Sequence, residues 1–404
     1  MPAHDLEALV HRTGEIDLDL RETTLAGLAA YADDPLFCVP EAARAMHARL
    51  GPAMQIVILG VSPFAAILMA EMPGRADIVA VVDDFRAAKG ERCNGLPVIT
   101  SADFVERAKS GDVIGVSACR YDYSRRYFKN LCRHHGIAHL NFEQAMRLLR
   151  PVSARDHRVE DWAPAIAQQA GDFLALGDAL VDDYSRFTLH SVLLSQLTCN
   201  PEWTLHAARP YCTLYFRSGL WSPSTAERFV DCGASLAEST SALIDVTDGR
   251  FDRIWMVEPD RFNLETLAKY REKYAGRPEY ERMQLLPYAV SDAPGTIAFP
   301  HQGGHAGMLS IDNGEGTAEV RRLDDIIDGA PTLIKMDIEG AELPALRGAR
   351  GLIEAHKPKL AISAYHRATD LVDLYREALA LRPDYRVGLR HHTEERWDTC
   401  LYFY

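Results

Sequence analysis

Residues 229–260, FVDCGASLAESTSALIDVTDGRFDRIWMVEPD, constrain this chain more than any other stretch. Phe229 and Val230 lead into Asp231 and the small residues Gly233 and Ala234. A helix-length segment follows, and a second apolar run, 254–257, ends in Glu258. The pattern reads as strand, tight turn, crossover helix and strand, with a carboxylate at the second strand's tip. Small residues at such a turn let backbone approach a ligand, and N–H groups at the next helix start can face it. An acid roughly 20 residues on accepts hydrogen bonds from a ribose diol. A nucleoside ligand is therefore expected here. The alternative is an ordinary βαβ unit whose acid falls at a strand end by chance.

The remainder of the chain must be compatible with that unit. Its 404 residues exceed one typical domain, and a composition 47% hydrophobic and 25% charged supports buried cores. A net charge of −13 disfavours broad binding to nucleic acid or to an anionic membrane surface. The eight cysteines form no CxxC pair and no Cys/His cluster with zinc spacing, so reduced thiols are expected. The first residues carry acids where a signal peptide has bases, and no apolar run approaches a membrane span. A cytoplasmic location is expected.

Taken in order, residues 1–50 read as a helical arm, with Leu6, Leu9 and Val10 at helical spacing and a second amphipathic piece over 40–50. Residues 51–150 read as a first Rossmann-like domain: strand 54–59, helix 64–71, and strand 78–82 ending in Asp83 and Asp84. Its turn holds the lone Gly60 followed by Ser62 and Pro63, a poor fit to GxGxxG and hence to a nicotinamide cofactor. Residues 151–222 lack α/β rhythm and read as a helical connector or cap. Residues 223–404 alternate again: helix 261–274, a third strand over 284–290, and a glycine-rich loop HQGGHAGMLS expected to be mobile. Strand TLIKMDIEG, helix 342–353, strand KLAISAYH, helix 370–381 and strands 385–390 and 400–404 follow. Seven strands, the last two joined by a short polar segment, predict a parallel sheet closed by an antiparallel hairpin.

The pieces YFRSGLW, FVDCGASLAEST, WMVEPDRFNLETL, PYAVSDAPGTIAF, VRRLDDI, LIKMDIEGAELPALRGA, KLAISAYH and GLRHH fall in one order over about half the chain. In this the C-terminal half resembles FkbM-type S-adenosylmethionine-dependent methyltransferases, IKxDxEGAE being the most specific match. The segment VVDDFRAAKGERCNGLPVITSADF, followed by DVIGVSA, resembles the nucleotide-sugar-binding N-terminal domain of bacterial sugar acetyltransferases; a packing domain is the bland alternative. The fold class implied is α/β, with two Rossmann-like doubly wound domains joined by a helical connector, the C-terminal one a seven-stranded class I methyltransferase sheet. The family usually has DxGANxG, whereas this chain has Ala237 at the last glycine. An alanine at a helix start is expected to be conformationally safe and to add one methyl near the cofactor.

The resemblance implies S-adenosylmethionine as cofactor and O-methylation of a small-molecule or glycan hydroxyl, nucleotide-linked sugars included. It implies that Asp231, Gly233, Ala234 and Ser235 line the methionine portion, that Glu258 takes the ribose hydroxyls, and that Val290, Ser291 and Asp292 contact the adenine edge. Asp337 and Glu339 after the fourth strand, and His366 after the fifth, are the candidate catalytic residues, His391 and His392 lying after the sixth. A histidine with a pKa near ~6.5 is a natural base for a hydroxyl, and His366 caps a central strand. Lys335 is expected to pair with Asp337. No metal is assigned, although Asp337, Glu339 and His366 are of ligand type. No nucleic acid and no membrane partner are expected, and a homo-oligomer stays open. Two other readings remain: a nucleotide-sugar-binding protein with a decayed methyltransferase half, and a nicotinamide-dependent oxidoreductase.

Overall fold

The computed structural model describes residues 19–72, 76–119, 121–150, 160–301, 303–304 and 316–404. The helical spacing of Leu6, Leu9 and Val10, and most of the loop expected to be mobile, lie outside them. Two compact units result. One comprises Met1–Ala170, His190–His206 and Glu394–Arg396; the other comprises Gly171–Leu189, Ala207–Thr393 and Trp397–Tyr404.

The first unit carries helices Arg21–Asp33 and Glu41–Leu50 and then six strands: β1 Gln55–Leu59, β2 Asp77–Val82, β3 Arg92–Cys93, β4 Leu96–Ile99, β5 Val113–Ser117 and β6 His139–Asn141. Their order is β3-β4-β2-β1-β5-β6, parallel except for β3. Val57, Leu59, Ala80, Val82 and Phe104 form its core. The GLPVI signature lies in a hairpin: Asn94 and Gly95 both have positive φ, as a two-residue turn between β3 and β4 requires. Asp83 caps a short helix, accepting from Arg86 N at 3.0 Å, and Asp84 accepts from Ser101 N at 2.9 Å and Ser101 Oγ at 2.6 Å. Both strand-end acids are thus engaged in local structure. A Cβ at Gly60 would meet Cys119 Sγ at 2.7 Å, so the turn after β1 is closed by sulfur.

The second unit holds β7 Arg228–Cys232, β8 Arg253–Val257, β9 Met283–Leu286, β10 Ala289–Val290, β11 Gly295–Ala298, β12 Thr317–Arg321, β13 Leu333–Met336, β14 Lys359–Ser363, β15 Val387–His391 and β16 Thr399–Phe403. Seven form one sheet, β15-β16-β14-β13-β7-β8-β9, with β16 antiparallel to both neighbours. The doubly wound parallel sheet with a closing hairpin is what the sequence predicts. The third strand is shorter than expected, ending at Leu286: Pro287 offers no N–H to extend the ladder, and β10 pairs instead with β12 in a separate three-stranded sheet. The helix expected over 342–353 breaks into Glu342–Gly348 and Arg350–His356. Gly348 lies at the break because a Cβ there would stand 2.0 Å from Ser291 O.

The turn after β7 overturns one expectation. Ala237 has φ of 71°, in the left-handed region, at the N-cap of helix Glu238–Val246. Its carbonyl accepts from Ser241 N at 2.8 Å, and its methyl is buried in the core. This alanine is therefore strained, at about 1–2 kcal/mol, while its buried methyl contributes about 0.8 kcal/mol. Strain wins by a small margin. Ala237→Gly should stabilise the protein by about 0.5 kcal/mol in denaturant unfolding; a loss exceeding about 1 kcal/mol would show that methyl packing dominates.

Candidate active site

The centre of the site is built where β7 and β13 run side by side, with Asp231 opposite Lys335 in register. Lys335 Nζ lies 3.2 Å from Asp231 Oδ1, and both side chains are buried. Asp231 also accepts from Ser239 Oγ at 2.8 and 2.7 Å and from Thr240 Oγ1 at 2.7 Å. Lys335 donates to the carbonyls of Cys232 at 3.2 Å and Gly233 at 2.7 Å. Burial works against the ammonium, but Asp231 and then Asp337 raise its pKa, so it stays charged. The contact partner of Lys335 is thus Asp231 rather than Asp337: side chains opposite each other on adjacent strands meet, and Asp337 lies past the end of β13.

Gly233, with φ of 77°, sits against the chain beyond β13; a Cβ there would stand 2.0 Å from Asp337 O. Only glycine fits. Gly233 N and Ala234 N both donate to Val257 O, at 2.9 and 3.2 Å. Ser235, also at positive φ, donates its N–H to Glu258 Oε2 at 2.9 Å, and Asp260 N donates to Oε1 at 2.9 Å. Burial holds the Glu258 carboxyl above its usual range despite those two amides. Ser235 Oγ is buried with no hydrogen-bond partner among the described residues. Val290, Ser291 and Asp292 belong to the small sheet region instead of the tip of β9: Ser291 N donates to Arg321 O at 3.0 Å.

A second cluster lies at the carboxyl ends of β13 and β14. Tyr215 Oη donates to Asp337 Oδ2 at 2.9 Å and Tyr365 Oη to Oδ1 at 3.0 Å. Burial pushes both phenols well up, so they remain donors. Burial opposes the Asp337 charge, but Lys335 and His366 hold its pKa below the usual value. His366 is fully buried, with Nε2 3.6 Å from Asp337 Oδ1 and 3.4 Å from Glu339 Oε2, and Nδ1 3.0 Å from Glu342 Oε1. Burial alone would lower its pKa; Glu342, then Glu339 and Asp337, overcome that and push it up to about 10. The surrounding carboxylates thus favour the imidazolium form, which weighs against the expectation of a free base. Asp370 Oδ2 takes the amides of His366 at 3.0 Å and Arg367 at 2.7 Å, and burial with Glu342 nearby pushes its carboxyl up to about 7.

His391 and His392 fall at the end of β15 but serve packing. His391 Nδ1 pairs with Thr399 Oγ1 at 2.9 Å, and His392 lies between Thr213 Oγ1 and Tyr402 Oη, both at 3.1 Å. Burial pushes the pKa of His392 down to about 3. The structure therefore brings Asp337, Glu339 and His366 together, and adds Tyr215, Tyr365 and Glu342, to which the sequence pattern assigns no role. Glu342 stands inside the most specific motif and Tyr365 beside His366. Tyr215 carries only its place in YFRSGLW.

Breaking a buried pair on one side leaves an uncompensated charge and costs about 3–5 kcal/mol. Lys335→Met should lower unfolding stability by that amount, and the double variant Asp231→Asn/Lys335→Met should recover part of the loss. An unchanged melting curve for Lys335→Met would remove the pair from its structural role.

Comparison with known proteins bears on these clusters. The methyltransferase FkbM domain matches residues 231–386, which hold both the Asp231–Lys335 pair and the carboxylate cluster. The solved structure of methyltransferase FkbM from Methylobacillus flagellatus KT is 47% identical, covers 96% of this chain and 100% of its own, and superposes with a TM-score of 0.87. The fibrillarin/Nop5p complex (14% identity, 56% of this chain and 87% of that one, TM-score 0.30) and precorrin-6y C5,15-methyltransferase from Geobacter metallireducens GS-15 (13%, 52% and 86%, 0.24) are too distant to carry an argument. No curated protein matches. Identity across nearly the whole of both chains decides the matter: this chain belongs to the FkbM methyltransferase family.

Proposed function

We propose that the protein is an S-adenosylmethionine-dependent O-methyltransferase acting on a hydroxyl of a sugar, glycan precursor or related metabolite. The observation that carries this reading is the crowd of Asp337, Glu339 and His366 beyond β13 and β14, beside the Gly233–Ser235 turn. Ligands of open α/β sheets bind beyond the carboxyl ends of the strands. The residues present fit the donor. Ser235 Oγ is buried with its hydrogen-bonding capacity unused, and Glu258, at the tip of β8, keeps spare lone pairs for a ribose diol. When bound, S-adenosylmethionine supplies an electrophilic methyl group on a sulfonium.

The chain's own work is then positioning. Asp337, fixed by Tyr215 and Tyr365, accepts a hydrogen bond from the acceptor hydroxyl and aims its oxygen. In that position an Asp337 carboxylate oxygen would take up the proton that the acceptor hydroxyl loses. The His366 imidazolium steadies the charge of that carboxylate until the proton arrives.

Two variants test this together. Glu258→Ala should weaken S-adenosylhomocysteine binding by about 1.5–3 kcal/mol in calorimetry, because a charged acceptor for the ribose is lost. Asp337→Asn should keep that affinity within a few-fold while cutting kcat by about 100-fold or more. Equal loss of affinity in both would contradict the division of labour. Failure of the parent protein to bind S-adenosylhomocysteine would favour the decayed-enzyme reading.

One observation favours a ligand for the first unit as well. Phe85, Tyr121 and Tyr123 are exposed just past the carboxyl ends of β2 and β5, with the two tyrosine rings stacked at 6.0 Å. Such flat faces suit a base or a sugar ring, in keeping with the resemblance to nucleotide-sugar-binding domains. Asp83 and Asp84 are engaged with Arg86 and Ser101. In saturation-transfer NMR, a uridine diphosphate sugar should receive magnetisation from the parent protein and not from Tyr123→Ala. No transfer with the parent protein would leave the unit as a packing domain.

A further inference from the structure

We propose that Asp337, Glu342 and His366 form a binding site for a divalent transition-metal cation, with one coordination position left for the acceptor oxygen. Among the described residues, one ligand atom from each of these three lies within 4.8 Å of the other two. Proximity of acids alone would not make a site. The second observation is that the buried groups there, though His366 is ion-paired with Asp337, Glu339 and Glu342, fall short of full hydrogen bonding. His366 is 0% exposed and neither ring nitrogen has a hydrogen-bond partner; Glu342 is 1% exposed and its Oε2 has none. Nδ1 approaches Glu342 Oε1 to 3.0 Å without the alignment of a hydrogen bond, and that oxygen already accepts from Ile338 N at 2.8 Å.

Leaving a buried polar atom unsatisfied costs about 1–3 kcal/mol, and a core rarely holds several in one place without a use for them. A cation satisfies them together, displacing a ring proton of His366 to solvent, taking the lone pair so freed and the idle Glu342 oxygen. Ligands held at about 2.0–2.2 Å from one ion stand at most about 4.4 Å apart, so a modest contraction of the cluster completes the set. An imidazole with two carboxylates suits manganese, ferrous iron or zinc better than calcium or magnesium, which prefer oxygen alone. The surroundings resemble a supporting shell. Asp370 fixes the backbone at His366, and Tyr215 and Tyr365 fix Asp337.

The side chain of Asp337 is 26% exposed and that of Glu339 40%, so the cluster opens on their side. A hydroxyl oxygen entering there would become a ligand and lose its proton more readily; with Asp337 engaged as a ligand in that state, Glu339 rather than Asp337 would be placed to receive it. Only this last step rests on the methyltransferase reading; binding of the cation does not.

The test is a titration of the full chain, stripped of metal by chelation and free of S-adenosylmethionine, with Mn²⁺ followed by electron paramagnetic resonance and with Zn²⁺ in competition. Saturable binding of Mn²⁺ is expected, displaced by Zn²⁺ and weakened at least tenfold in both His366→Gln and Asp337→Asn. If His366→Gln fails to fold, Asp337→Asn, altered at a partly exposed side chain, decides. The proposal is overturned if neither ion binds saturably, or if the folded variants bind as the parent does. S-adenosylhomocysteine calorimetry on the same sample separates the two readings. S-adenosylhomocysteine binding without cation binding sinks the metal site alone, whereas the reverse supports the metal site and sinks the donor reading.

Discussion

The buried ion pair between Asp231 and Lys335 is the interaction on which the rest of the site depends. Two charges removed from water cost several kcal/mol each, and attraction repays that only where remaining lone pairs and protons are matched. Here they are matched: Ser239 and Thr240 serve the carboxylate, and the carbonyls of Cys232 and Gly233 serve the ammonium. The pair therefore does more than link β7 to β13. Lys335 reaches past the strand end and pulls the following turn onto itself. Gly233, having no Cβ, lets the Asp337 carbonyl close against it. The Gly233–Ser235 turn and the Asp337 carboxylate are thus brought together around one contact.

Beyond that pair the cleft is dominated by carboxylates. Asp337, Glu339 and Glu342 surround a single imidazole, and Asp370 lies behind it. A positive centre is needed there to make the cluster tolerable. A proton on His366 meets the need in one state, and a divalent cation would meet it in another. The same field favours a sulfonium over a neutral sulfur nearby, since opposite charges attract strongly where water is scarce. Tyr215 and Tyr365 contribute because burial keeps them protonated: they are fixed donors that do not need to reorganise as charge moves.

How much of this is legible in the sequence follows from the range of the forces involved. The strand-turn-helix-strand unit at 229–260 and the closing hairpin are local patterns, carried by apolar runs and glycines, and the fold contains both. The end of the third strand is local too, but the apolar residues on either side of Pro287 hide the stop. Tyr215 escapes because its contact with Asp337 spans 122 positions and nothing in an aromatic-rich segment marks one ring over its neighbours. Glu342 escapes because an acid in a helix's first turn already has an ordinary explanation in the helix dipole. Lys335 and Asp337 look paired because they share one strand, whereas the register with β7 decides which carboxylate the lysine meets.

The strain at the turn completes this picture. Gly233, Ser235 and Ala237 all adopt positive φ within five positions, although only the first is a glycine. Left-handed residues persist where the surroundings over-determine them, and here each is held. Asp337 backs Gly233, Glu258 binds the amide of Ser235, and the core encloses the methyl of Ala237. The turn is consequently shaped before any ligand arrives, so the nucleoside side of the site has little freedom to adapt. The carboxylate side differs, because Asp337 and Glu339 keep part of their surface open. Rigid backbone on one side and partly open side chains on the other assign the two jobs differently. On the proposed reading, the donor would meet the more constrained backbone turn, and the acceptor would meet the partly open side chains beyond β13 and β14.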